Sequence, residues 1–171
     1  MADAAPDAIT LLKNDHREVE SLFKKYEKEE GAAAKRKIAT DIATALIVHT
    51  RIENDHFYPA CEGKVDEADL KEAYVEHDAA NVLVAEILAS TKGDEFAEAK
   101  VKVLKEEIEH HVGEEERWLT GIFSQAKRHG VDMDALGVEL AEAKARYEAE
   151  IAKDGPEVHL DALKKTKLAT A

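Results

Sequence analysis

Apolar residues recur every three or four positions along almost the whole chain, and nowhere do apolar and polar residues alternate in the manner of a strand. The pattern predicts five helices, running from about Asp7 to Glu29, Ala33 to Cys61, Asp66 to Thr91, Asp94 to His129 and Asp132 to Lys153. Gly31, Gly63, Gly93, Gly130 and the "DGP" stretch mark the stops, and the Asp66 carboxylate can cap the third helix. The last stretch, "EVHLDALKKTKLATA", reads equally as one more short helix or as a loose tail. Short connections force neighbouring helices antiparallel. The fold expected is therefore all-α, an up-down-up-down four-helix bundle with an additional C-terminal helix. Residues 1–153 would form one domain, with its core at 8–129 and the extra helix at about 132–153, leaving 154–171 as the tail. The fifth helix carries an apolar stripe (Leu136, Leu140, Ala143, Tyr147, Ile151) that needs a surface to cover.

The apolar stripes are interrupted in a consistent way. At about 100° per residue, His16 falls among Ile9, Leu12, Val19 and Phe23 in the first helix. In the second, the line Ile38, Ile42, Leu46 is prolonged by His49, Glu53 and His56. His77 lies among Leu70, Ala73, Val84 and Leu88 in the third, and His111 and Glu115 lie on the axis of Leu104, Ile108, Leu119 and Ile122 in the fourth. His110 and Glu114 fall well off that axis. At about 1.5 Å rise per residue, His16, Glu53 and His77 sit at similar depths, and Glu115 joins them if the long fourth helix overhangs the bundle.

Ionisable groups on a core face are costly unless paired or bound to a metal. Four imidazoles and two carboxylates, without thiolate, suit iron, manganese or zinc. Six such side chains fit a pair of metals bridged by both carboxylates, and the His-x-x-x-Glu spacing puts terminal and bridging ligands one helical turn apart. One such pair is usually a surface feature. Two of them, with a core-facing histidine on each remaining helix, are far more specific. The bland alternative is an acidic bundle with hydrogen-bonded core histidines, and it needs six separate buried polar partners. A ferritin-like reading through Glu53-x-x-His56 and Glu107-x-x-His110 requires Glu107 and His110 to face inward, against the stripe.

Composition narrows the classes further. Lys and Arg number 24 against 37 Asp and Glu, a net charge of −13, and aromatics make up 5%. Such a chain is repelled by nucleic acid and anionic membranes and lacks a stacking platform for bases. Cys61 is the only cysteine, which excludes an intramolecular disulfide and thiolate clusters, and it reads as a small core residue. No signal peptide and no membrane span are visible, so a cytoplasmic protein, monomeric or weakly self-associating, is expected.

Four ordered motifs, "LLKNDHREVESLF", "HTRIENDHFYP", "YVEHDAANVLVAEI" and "LKEEIEHHVGEEERWL", resemble the hemerythrin-like proteins, or HHE cation-binding domains, over roughly residues 8–127. The resemblance implies a non-haem di-iron centre, two iron ions with an oxo or hydroxo bridge, held by His16, His49, Glu53, His77, His111 and Glu115. It is similar to the bacterial type. Oxygen-carrying members have another histidine where Asn81 stands and an aspartate at the place of Glu116, and most members have proline at Gly121, so the fourth helix is expected to run on to Gly130. The missing histidine leaves a position for water, His56 or a tyrosine, with Tyr74 preferred to Tyr58 as facing inward. Asp15, Glu20 and Asp78 stand beside ligands and could hold imidazole N–H groups. His129 and His159 are expected in solvent.

The expected function is binding of O2, nitric oxide or peroxide, in sensing, storage or protection against oxidative and nitrosative stress. One alternative is a catalase-like enzyme that turns over peroxide, with Tyr74 or His56 relaying protons. A second is an iron-responsive interaction module.

Overall fold

A computed structural model describes residues 5–163. Among them are eight α-helices, one π-helical turn and no strand. Helix α1 spans Ala8–Lys28; the Asp7 carboxylate caps it by accepting from the Thr10 N–H at 3.0 Å. Helix α2, Ala32–Ile52, runs through the π turn Glu53–Phe57 directly into α3, Tyr58–Cys61. Asp66 caps α4, Glu67–Ala89, through the Ala68 N–H at 2.8 Å. Helix α5 spans Ala97–Glu115, α6 Ile122–Arg128, α7 Met133–Asp154 and α8 Pro156–Leu163. The last stretch, for which the sequence left a short helix and a loose tail equally open, forms α8 as far as Leu163, and residues 164–171 lie outside the described residues. None of the helices among the described residues is long and apolar enough to cross a membrane.

Helix α1 packs along α2 and α4 along α5, with α2 also against α4. The stripe of α7 is buried against α1 and α2, with Leu140 wholly enclosed. Gly137 lets the α7 backbone meet the start of α1: a Cβ there would lie 2.8 Å from the Ala8 nitrogen.

The fourth predicted helix is not continuous. It ends at Glu115, turns through 116–121 and restarts as α6. The cause is local. Leu119 takes a left-handed φ of 70° and is exposed rather than on the stripe. At Gly121 a Cβ would sit 2.7 Å from both the nitrogen and the carbonyl oxygen of Arg117. The Gly121 N–H donates to the Arg117 carbonyl at 2.8 Å, closing the turn. Glycine therefore permits a break, and the overhang expected of the fourth helix does not exist.

Candidate metal centre

The six side chains singled out on the core faces meet in one buried layer between α1, α2 with its π turn, α4 and α5. They form two imidazole pairs. His16 Nε2 lies 3.1 Å from His49 Nε2, and His77 Nε2 lies 3.1 Å from His111 Nε2. The carboxylates stand between the pairs. Glu53 Oε2 is 3.1 Å from His49 and 3.3 Å from His77, while Glu115 Oε2 is 3.4 Å from His16 and 3.6 Å from His111. Both glutamates are completely buried.

Each imidazole turns Nε2 inward and Nδ1 outward. His16 Nδ1 donates to Glu116 at 2.8 Å, His111 Nδ1 to Glu76 at 2.6 Å and His77 Nδ1 to Asn54 at 2.9 Å. His49 Nδ1 faces Asp15, 3.6 Å away, and Asp15 is itself paired with Lys144 at 2.6 Å. A carboxylate only accepts, so the proton of a neutral ring sits on Nδ1 and the inward Nε2 is a bare lone pair. Lone pairs 3.1 Å apart repel unless a proton or a cation lies between them. Both oxygens of Glu53 and Oε2 of Glu115 are buried without a hydrogen-bond donor. Buried anionic oxygens without donors are costly, and a pair of cations would satisfy them. Two overlapping sets of ligand atoms, His16, His49, Glu53 and Glu115 in one and Glu53, His77 and His111 in the other, lie close enough for one ion each. The donor set thus fits two cations sharing a carboxylate.

The electrostatics of the metal-free chain agree. Burial disfavours a charged His49, yet Glu53 and Asp15 outweigh it and push the imidazole up to about 10. Burial raises the Glu53 carboxyl, but His49 and His77 hold it well below the carboxylate range. A proton there occupies the place a cation would take. Burial, followed by the Glu115 and Glu53 charges, drives the Tyr58 phenol well up, so it stays protonated and donates to Glu115 Oε1 at 2.8 Å.

Tyr58 reaches the centre because of the π turn. In a regular helix His49, Glu53 and His56 would share one line. Here the Tyr58 N–H reaches five residues back to the Glu53 carbonyl, which inserts one residue into the turn. Pro59 follows, has no N–H and crowds the turn before it, which favours such widening. Each later side chain is set back by about 100°. Tyr58 therefore inherits the line of Glu53, and His56 swings away to α7, where it bonds Glu139 at 2.6 Å and the Tyr147 hydroxyl at 3.3 Å. His56 does not reach the centre. Tyr74 stands behind Tyr58, ring centroids 5.2 Å apart, so the preference between the two tyrosines is reversed.

Other expectations meet mixed outcomes. Asp15 stands behind His49 as expected, whereas Glu20 pairs with Arg17 at 2.7 Å. Asn54 and Glu76 were not anticipated as imidazole holders, although each adjoins a candidate ligand in sequence. His129 is exposed, but His159 is buried, with Nδ1 3.2 Å from Arg51. Neither Glu107 nor His110 supplies an atom to the two buried ligand sets, and His110 is exposed beside Glu76, against the ferritin-like arrangement. Asn81 is buried beside His77 on α4 and supplies no atom to either ligand set. Cys61 is fully enclosed, and burial pushes its thiol up to about 12, an inert core group.

Comparison with known proteins follows the same lines. Residues 7–123 match the sequence model of a family described as the hemerythrin HHE cation binding domain. A search of curated proteins finds no match. Among solved structures, a hemerythrin HHE cation binding domain-containing protein from Mycobacterium kansasii superposes with a TM-score of 0.75 at 21% identity, covering 92% of this chain and 99% of that one. At that identity the likeness is one of fold.

Proposed function

This chain belongs to the hemerythrin HHE cation-binding domain family, and from that premise we propose that it holds two iron ions and binds O2, nitric oxide or peroxide in the cytoplasm, as part of a stress response, sensing or storage. The ligands are His16, His49, Glu53, His77, His111 and Glu115, in an up-down-up-down arrangement of α1, α2, α4 and α5. Iron bridged by oxide or hydroxide would supply reversible electron transfer to the small molecule. The observation that carries this reading is the two imidazole couples facing each other through Nε2, with buried glutamate oxygens between them that have no hydrogen-bond partner.

The chain's own groups have separable tasks. Glu116, Asp15, Asn54 and Glu76 fix the ring orientations and leave each Nε2 turned into the layer. Phe57 and Phe123 wall the layer and keep water out; Phe123 stacks on His16 with centroids 5.8 Å apart. The Tyr58 hydroxyl, 2.8 Å from Glu115 and 3.4 Å from His77, can donate a hydrogen bond to a bound small molecule or occupy the position that the missing histidine leaves.

That hydroxyl also favours a second reading, turnover of hydrogen peroxide with Tyr58 moving the proton. Adding peroxide to the iron-loaded chain separates the two. A reversible spectral change without gas supports binding, and sustained oxygen evolution supports turnover. Purified chain that takes up no iron would defeat both.

A further inference from the structure

The α4–α5 face carries a second group of ligand atoms outside the buried layer. Glu76, His110 and Glu114 each present one atom to a common point. His110 Nε2 lies 3.6 Å from an oxygen of Glu76 and 3.6 Å from an oxygen of Glu114, too long for good hydrogen bonds. Atoms sharing one ion at bond lengths of about 2.1 Å stand roughly 3.0–3.5 Å apart, so a small closure would suffice. A further observation points the same way. Glu107, one turn before His110 and His111, has an oxygen cut off from solvent with no hydrogen-bond partner. Burial and the charge of Glu76 push its carboxyl up. The Arg117 guanidinium lies 3.4 Å from Glu114, on an exposed side chain that can swing away.

We propose that Glu76, His110 and Glu114, with Glu107 beside them, form an exchangeable surface site for one divalent transition cation, from which the buried centre is loaded. Oxygen and imidazole donors suit manganese, iron or zinc in their divalent states. Glu76 joins the two places: one oxygen faces His110, and the other holds His111 Nδ1 at 2.6 Å. A cation docked outside thus sits one carboxylate and one imidazole from the inner layer. Only the loading role rests on the proposed di-iron reading; the surface site stands without it.

The test is a manganese(II) titration of the iron-loaded chain, counting bound ions by loss of the free-ion electron paramagnetic resonance signal. One bound ion per chain is expected, weakened at least tenfold in a double variant, His110→Ala with Glu114→Gln. Iron uptake by that variant should reach the same final count several-fold more slowly. Metal-free His111→Ala, which lacks the inner site, should still bind the surface manganese. No bound manganese in the parent chain, or equal affinity in the double variant, would overturn the site. Unchanged uptake rate would overturn the loading role.

Discussion

Each imidazole of the layer is held by an acceptor behind it, and that anchoring decides which single changes matter. His111 is 2.6 Å from Glu76 and within ligand distance of His77 and Glu115. His111→Ala should abolish stoichiometric iron binding, whereas His110→Ala, on the exposed neighbour, should retain the tightly held iron. Metal analysis after desalting checks both; two irons retained in His111→Ala would refute the ligand assignment. Tyr58→Phe removes the donor to Glu115 Oε1. A buried acceptor stripped of its donor costs about 1–3 kcal/mol, so the metal-free variant should unfold at correspondingly lower denaturant. At this scale the sequence was informative, because a polar side chain on an apolar stripe is conspicuous. Apart from Asp15, the Nδ1 partners were not, because Glu76 serves a histidine on another helix and its role depends on how α4 faces α5.

Elements record the same limit. The stripe of α2 was legible to Glu53 and misleading beyond it, because a period of 3.6 cannot anticipate an inserted residue. The turn at 116–121 was hidden likewise: with glycine in place of proline, nothing in the pattern marks a stop. Glycine substitutions expose this contrast. Gly113→Ala, within α5 and facing open space, should raise stability by about 0.5–1 kcal/mol. Gly121→Ala puts a methyl against the Arg117 backbone and should lower it, read as opposite shifts in Tm. The α4–α5 loop adds an acid-sensitive element. Asp94 accepts from Ser90, the Phe96 N–H and Lys100, which hold its carboxyl at about 2 against the ordinary 3.8. A lowered folded value means stability present above pH 4 and lost as pH falls toward 2. Asp94→Asn should flatten that limb of a stability-against-pH curve.

Across the whole molecule, helix content and the meeting of six distant side chains followed from periodicity, while α7 and α8 found their places only through packing. The interior gathers carboxylates and imidazoles that a hydrophobic core would exclude, so cations should act as part of the fold. A ligand at a hundred times its dissociation constant adds about 2.7 kcal/mol, and for a chain of this size that is a rise in Tm of roughly 5–10 °C. Chelation should reverse it, and a Tm indifferent to chelator would count against cations as structural members. The most direct measurement is diffraction from crystals of the iron-reconstituted chain, recorded at the iron absorption edge. Two anomalous peaks about 3.5–4 Å apart, one beside His16 and His49 and the other beside His77 and His111, are the expected result. A layer with no anomalous signal, its imidazoles joined only by protons and water, would contradict the account.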